Sequence, residues 1–125
     1  MARRTISSGS PWEGRYGYSR AVVVGNQCWV AGTADPTGRH IGDAAGQARE
    51  ILGIIERALT EAGFALADVV RTRMYVVNPA DQDTVARIHG EVLGSIRPAS
   101  TLIVVRGLVT SELLVEIEVD AVRER

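Results

Sequence analysis

Leu113-Leu114-Val115-Glu116-Ile117-Glu118-Val119-Asp120-Ala121-Val122 is the stretch whose reading decides the fold. Leu113, Val115, Ile117, Val119 and Ala121 are apolar, and Glu116, Glu118 and Asp120 alternate with them, the period of a half-buried β-strand. A helix would scatter the acids around its circumference. Three carboxylates at i, i+2 and i+4 share one sheet face and repel, so the fold must set cations opposite them or leave them in water. Just upstream, Pro98 pushes Arg97 toward extended backbone, and Thr101–Val105 has the β-branched character of a central strand. The connection from Arg106 to Glu112 contains Gly107 and reverses the chain, so the two strands are expected as an antiparallel pair.

Outward from there, Asp68–Val77 alternates again, with Val70, Thr72, Met74 and Val76 on one face and Arg71, Arg73 and Tyr75 on the other. These arginines are the cations that the acidic strand requires, and Arg71 and Arg73 are expected to neutralise Glu118 or Asp120. Ala48, Ile51, Leu52, Ile55, Ala58, Leu59 and Ala62 recur at three and four, an amphipathic helix capped by Asp43 and ended by Gly63. Asn78-Pro79 opens a second helix, with Asn78 as N-cap, a buried stripe of Val85, Ile88 and Val92, and a stop at Gly94. Ala21–Val24 and Cys28–Ala31 flank Gly25-Asn26-Gln27 as a hairpin. Residues 5 to 19 mix turn formers with Trp12, Tyr16 and Tyr18, an ordered loop whose rings need a surface to cover. The expected architecture is α+β: a mixed sheet with two helices on one face, in a single domain over residues 1–125. The other sheet face carries Arg71, Arg73, Tyr75, Glu116, Glu118 and Asp120 and invites burial between copies of the chain.

The chain has 125 residues, 46% hydrophobic and 23% charged, enough for one core. A net charge of −1 with interspersed signs argues against nucleic acid or an acidic membrane as partner. Cys28 is the single cysteine, which excludes an internal disulfide and a zinc knuckle. Met1–Thr5 is basic but leads into Ser, Gly and Pro, so neither a signal peptide nor a membrane span is expected, and the location expected is cytoplasmic. Gly32–Gly38 opens a loop without a following helix or a lysine, so it is no phosphate cradle. His40 and His89 stand apart from each other and from Cys28. His89 reads as a satisfied helix histidine, and no metal site or cofactor is expected.

The element Arg97-Pro98-Ala99, the apolar strand after it and the run Val115–Val122 together resemble the RidA (YjgF) family, with the likeness extending from about Tyr18 to Val122. The resemblance implies a chorismate mutase-like fold closed into a homotrimeric barrel, with small-molecule clefts between subunits. It also implies hydrolysis of reactive enamines and imines. Carried over by position, Tyr18 is the family's loop tyrosine and Glu116 its water-orienting glutamate. Gly32 and Thr33 fall where strand-end backbone contacts substrate. The arginine that grips the substrate carboxylate is replaced by Ser100, which cannot reproduce a bidentate, permanently charged grip. Gly17, Ala86 and Leu102 depart from the pattern as well. Arg97 and Arg106 are poorly placed to substitute, which leaves Arg15, Arg20 or a neighbouring subunit. Trp12 and Tyr16 either wall the cleft, favouring an apolar or aromatic ligand, or pack the loop. Three functions are therefore open: an enamine/imine deaminase-like enzyme, a non-catalytic metabolite-binding or regulatory protein, and an endoribonuclease or translation inhibitor. The last wants a basic groove and paired acid-base groups that this composition does not offer.

Overall fold

The computed structural model describes residues 2–124. In chain order the elements are β1 (Arg3–Ile6), α1 (Pro11–Tyr16), β2 (Ala21–Val24), β3 (Gln27–Thr33), α2 (Ala44–Glu61), β4 (Val69–Val76), α3 (Gln82–Leu93), β5 (Ala99–Val104) and β6 (Val115–Val122). One six-stranded sheet has the order β1-β2-β3-β6-β4-β5. All neighbours run antiparallel except β4 and β5, which are parallel.

The alternation in β6 does what it promised: Val115, Ile117, Val119 and Ala121 are at most 1% exposed and face the helices. Against them pack Ile51, Ile55 and Leu59 of α2 and Val85, Ile88 and Leu93 of α3, all buried. Burying each such side chain stabilises the fold by about 1.5–3 kcal/mol. Asp43 caps α2 by accepting the Gly46 N–H at 2.9 Å. Gly63, just beyond α2, has φ 86°, a left-handed conformation that glycine adopts without strain.

Several expectations are corrected. β5 and β6 do not pair with each other; β4 lies between them, so the long connection carries the chain across a strand rather than around a hairpin. β5 is an edge strand, not a central one, and stays largely exposed. The break in register between Val69 and Arg71 is a β-bulge that turns Val69 inward and leaves Val70 45% exposed. Arg97 is left-handed, with φ 55°, instead of extended. Asn78 leads into a short 3-10 turn, Pro79–Asp81, before α3 begins, and its side chain makes no cap bond. Within α3, Leu93 is buried and Val92 only partly so.

The stretch expected as a loop holds two elements. β1 pairs with β2, and α1 is a six-residue helix with Ser10 as N-cap, Pro11 at its start and Gly17 at φ 74° after its end. Cys28 is fully buried and its thiol is pushed up to about 11 by burial, so it serves as a small hydrophobe. No helix among the described residues is long and apolar enough to cross a membrane. Because Ile117 sits at the centre of the core and is fully buried, Ile117→Ala is expected to cost about 2–5 kcal/mol, read from urea denaturation at fixed protein concentration.

Candidate functional site

The face of the sheet away from the helices carries the predicted charge match. Register places Arg73 opposite Glu118, Tyr75 opposite Glu116 and Arg71 opposite Asp120. Arg73 reaches Glu118 at 3.5 Å and Asp120 at 3.4 Å, and the Tyr75 hydroxyl donates to Glu118 at 2.6 Å. That hydrogen bond raises the Tyr75 phenol above its ordinary range. Among the described residues no ion pair forms at Arg71, so Arg73 alone meets the expectation.

Glu116 takes a different environment at the end of this stripe. The register of β3 on β6 shifts between Val30 and Thr33, so Ala31 and Gly32 form a bulge. Thr33 is thereby turned into the core, fully buried, with its hydroxyl donating to the Ala31 carbonyl at 2.8 Å. Arg20 holds the bulge from outside: Nη2 donates to the carbonyls of Ala31 and Gly32 at 2.9 and 2.8 Å. With no side chain on Gly32, the carboxylate of Glu116 lies directly against its backbone; a Cβ there would collide with Oε2. Burial, reinforced by the charge of Glu118, raises the Glu116 carboxyl above the usual carboxylate range, and Arg20 opposes that rise. The result is an acid that keeps its proton to higher pH than a free glutamate.

Glu116 and Gly32 form the floor of a cleft of about 540 Å³ whose other walls are Trp12, Tyr16, Tyr18, Ala31 and Val109. Trp12 and Tyr16 stack 5.7 Å apart with their planes 10° from parallel, and Arg15 lies 4.9 Å over the Trp12 ring. α1 presents these rings on its exposed side: Tyr16 is 69% exposed. Past Gly32 the cleft continues into a lobe of about 490 Å³ that Arg20, Asp35 and Ile54 also line.

Five of the seven candidates therefore meet: Trp12, Tyr16, Tyr18, Gly32 and Glu116. Thr33 does not line the cleft, and Ser100 is elsewhere, on β5 beside Thr72 of β4, with its hydroxyl 2.8 Å from that of Thr72. Sequence reasoning did not select Val109 or Ala31, which nothing in their own residue type marks. Arg20 lines the cleft but is engaged on the bulge, and Arg15 lies over the Trp12 ring. A smaller cavity of about 290 Å³ is lined by Asp35, His40, Gln47 and Glu112, and two of these side chains are already engaged. There Gln47 bonds to the backbone of His40, Glu112 and Leu114, and Asp35 accepts from Thr37. Among the described residues no group of three or more His, Cys, Asp or Glu could hold a metal ion.

Comparison with known proteins agrees with this architecture. The family model described as Endoribonuclease L-PSP matches residues 11–123. The structure of Rv2704 from Mycobacterium tuberculosis, described as a member of the highly conserved YjgF/YER057c/UK114 family, is 44% identical. It matches with a TM-score of 0.91 over 98% of this chain and 100% of that one. An uncharacterised Streptomyces coelicolor protein, SCO2049, is 40% identical over 125 residues, 98% of this chain and 93% of its own. The 3-aminoacrylate deaminase RutC of Acinetobacter baylyi is 36% identical over 78 residues, 62% of this chain and 61% of its own. The chain belongs to the RidA (YjgF) family.

Since the Arg20 cation holds the Glu116 carboxyl down, Arg20→Met is expected to move the Glu116 titration to higher pH, measured by carboxyl ¹³C NMR. Stability carries a second signature. A carboxyl raised in the folded state binds its proton more tightly folded than unfolded, so it disfavours folding once pH exceeds the unfolded value of about 4.3. Glu116→Gln should therefore gain thermal stability relative to wild type as pH rises from 4 to 8, with the gain absent at pH 4.

Proposed function

We propose that the chain is an enamine/imine deaminase-like hydrolase acting on a small metabolite in a cleft that a neighbouring copy completes within a homotrimer. The observation that carries this reading is Glu116, an acid with a raised affinity for its proton, pressed against Gly32 at the floor of an aromatic-walled cleft. Hydrolysis of an imine adds water to the C=N carbon while the nitrogen gains a proton. The carbinolamine then loses ammonia and leaves a carbonyl. Glu116 is suited to both proton transfers, taking one from water and returning it to the departing nitrogen. Tyr18 closes the pocket from the α1 side. The stacked Trp12 and Tyr16 favour a substrate with a planar or apolar portion over the smallest imino acids. A relative named 3-aminoacrylate deaminase is consistent with the reaction class.

Self-association is supported by the open sheet face, where Trp29 and Ile103 remain 41% and 46% exposed beside the half-buried Arg73–Glu118–Asp120 cluster. Apolar groups interspersed with matched charge suit an interface between identical chains. Sedimentation at micromolar concentration is expected to give a trimer, and a monomer there would remove the inter-subunit cleft.

A second reading, a cleft that binds its metabolite without turnover, is favoured by Ser100, since no guanidinium stands at that position to grip a carboxylate. Decay of 2-iminopropanoate and 2-iminobutanoate, generated in situ, separates the two. The hydrolase reading expects acceleration by the wild-type protein and a loss of about 10²–10⁴-fold in Glu116→Gln. No acceleration by wild type, with activity gained in Ser100→Arg, would establish the binding reading instead.

A further inference from the structure

Arg20 has more hydrogen-bonding capacity than the bulge consumes. Its Nη2 commits both N–H groups to the carbonyls of Ala31 and Gly32, at 2.9 and 2.8 Å. Nε is sealed from solvent and makes no hydrogen bond among the described residues. That leaves Nη1, with its own pair of N–H groups, on a side chain that lines the lobe of about 490 Å³ together with Tyr18, Gly32 and Glu116.

The charge is as unanswered as these donors. Arg20 is half-buried, yet among the described residues no carboxylate forms an ion pair with it. Burial lowers its titration below the ordinary arginine range, and Tyr18, Glu13 and Glu116 oppose that shift without bonding to it. A partly buried cation without a counter-ion is unfavourable, and an anion entering beside it relieves part of that penalty. The bonds to the bulge also hold the guanidinium in one orientation, so little conformational freedom is lost when a bound anion meets it.

We propose that Arg20 is the anion grip of the cleft, with Nη1 donating to a substrate carboxylate seated in the lobe behind Gly32 while the imine of the same molecule lies beside Glu116. This rests on the hydrolase reading for what Glu116 does, and it names the substrate class as imines carrying one carboxylate. The grip comes from the chain that supplies Glu116, on the α1 side, not from the β5 position that Ser100 occupies. One negative charge suits the lobe better than two. Glu116 and Asp35 line it and Glu13 acts on Arg20 from α1, so a phosphate dianion would meet repulsion from all three.

The test compares binding of 2-oxobutanoate with binding of its uncharged amide, 2-oxobutanamide, by titration calorimetry on the intact protein. Both carry the carbonyl that imine hydrolysis leaves, so neither measurement needs turnover. The wild type is expected to prefer the carboxylate at least about tenfold, the lower end for a hydrogen bond to a charged group. Arg20→Gln should bring the two compounds to equal affinity, and Arg20→Lys should keep a reduced preference. A residue that served only the bulge would weaken both compounds alike and leave their ratio unchanged. If Arg20→Gln does not fold, the Nε–H NMR signal of Arg20 in the wild type decides: it should shift with 2-oxobutanoate and stay in place with the amide. Equal binding of the two by the wild type, no binding of 2-oxobutanoate at millimolar concentration, or a preference that survives Arg20→Gln would overturn the proposal. An Arg20-dependent preference in a protein that leaves imines untouched would keep the anion grip and remove the hydrolase. Imine hydrolysis with a preference indifferent to Arg20 would do the reverse.

Discussion

The grip of Arg20 on the carbonyls of Ala31 and Gly32 is the interaction on which the cleft depends. A bulge interrupts the regular ladder and leaves backbone oxygens to be satisfied by something other than the neighbouring strand. A guanidinium meets that need with hydrogen bonds to a charged donor, each worth about 1.5–3 kcal/mol. Three things follow from the same irregularity. Thr33 turns into the core, Gly32 comes against Glu116, and the strand end opens toward α1. One side chain therefore fixes the backbone beneath the cleft and tempers the acid that lines it.

The two faces of β6 divide the work unequally. Its apolar face is buried in the core beneath α2, whereas the charged face stays part-exposed, with Arg73, Glu118 and Asp120 between 28% and 38% accessible. Ion pairs at that exposure contribute about 0–1 kcal/mol each, against about 1.5–3 kcal/mol for each buried aliphatic side chain. Hydrophobic burial sets the position of the strand. Arg73 and Tyr75 relieve the repulsion that three adjacent acids would otherwise impose, which leaves Glu116, farthest from Arg73 along the stripe, free to hold a proton.

How much of this was legible depends on the range of the interaction. The alternation of β6, the stripe of α2 and the Asp43 cap are encoded within a few residues, and each was readable. Pairing is not so encoded: β-branched Thr101–Val105 announces a strand without saying that its neighbour is β4. Nor does Val70 reveal that a bulge will turn it outward. α1 was overlooked because six residues are too few to display a helical period, although Ser10, Pro11 and Gly17 marked both of its ends. In the site, Tyr18, Gly32 and Glu116 followed from the family resemblance. The contacts of Thr72 with His89 and Ser100, 17 and 28 residues away, arise only when three elements assemble.

Gly32 also bears on how such a cleft could change over evolutionary time. Any replacement there brings a Cβ against the Glu116 carboxylate, so the acid has to move off the backbone before the floor can vary. The rim is different: Val109 is 88% exposed, and Tyr16, stacked on Trp12, is still 69% exposed. Sequence change around this cleft is therefore expected to reach the rim residues first, reshaping the opening before the acid and glycine beneath it.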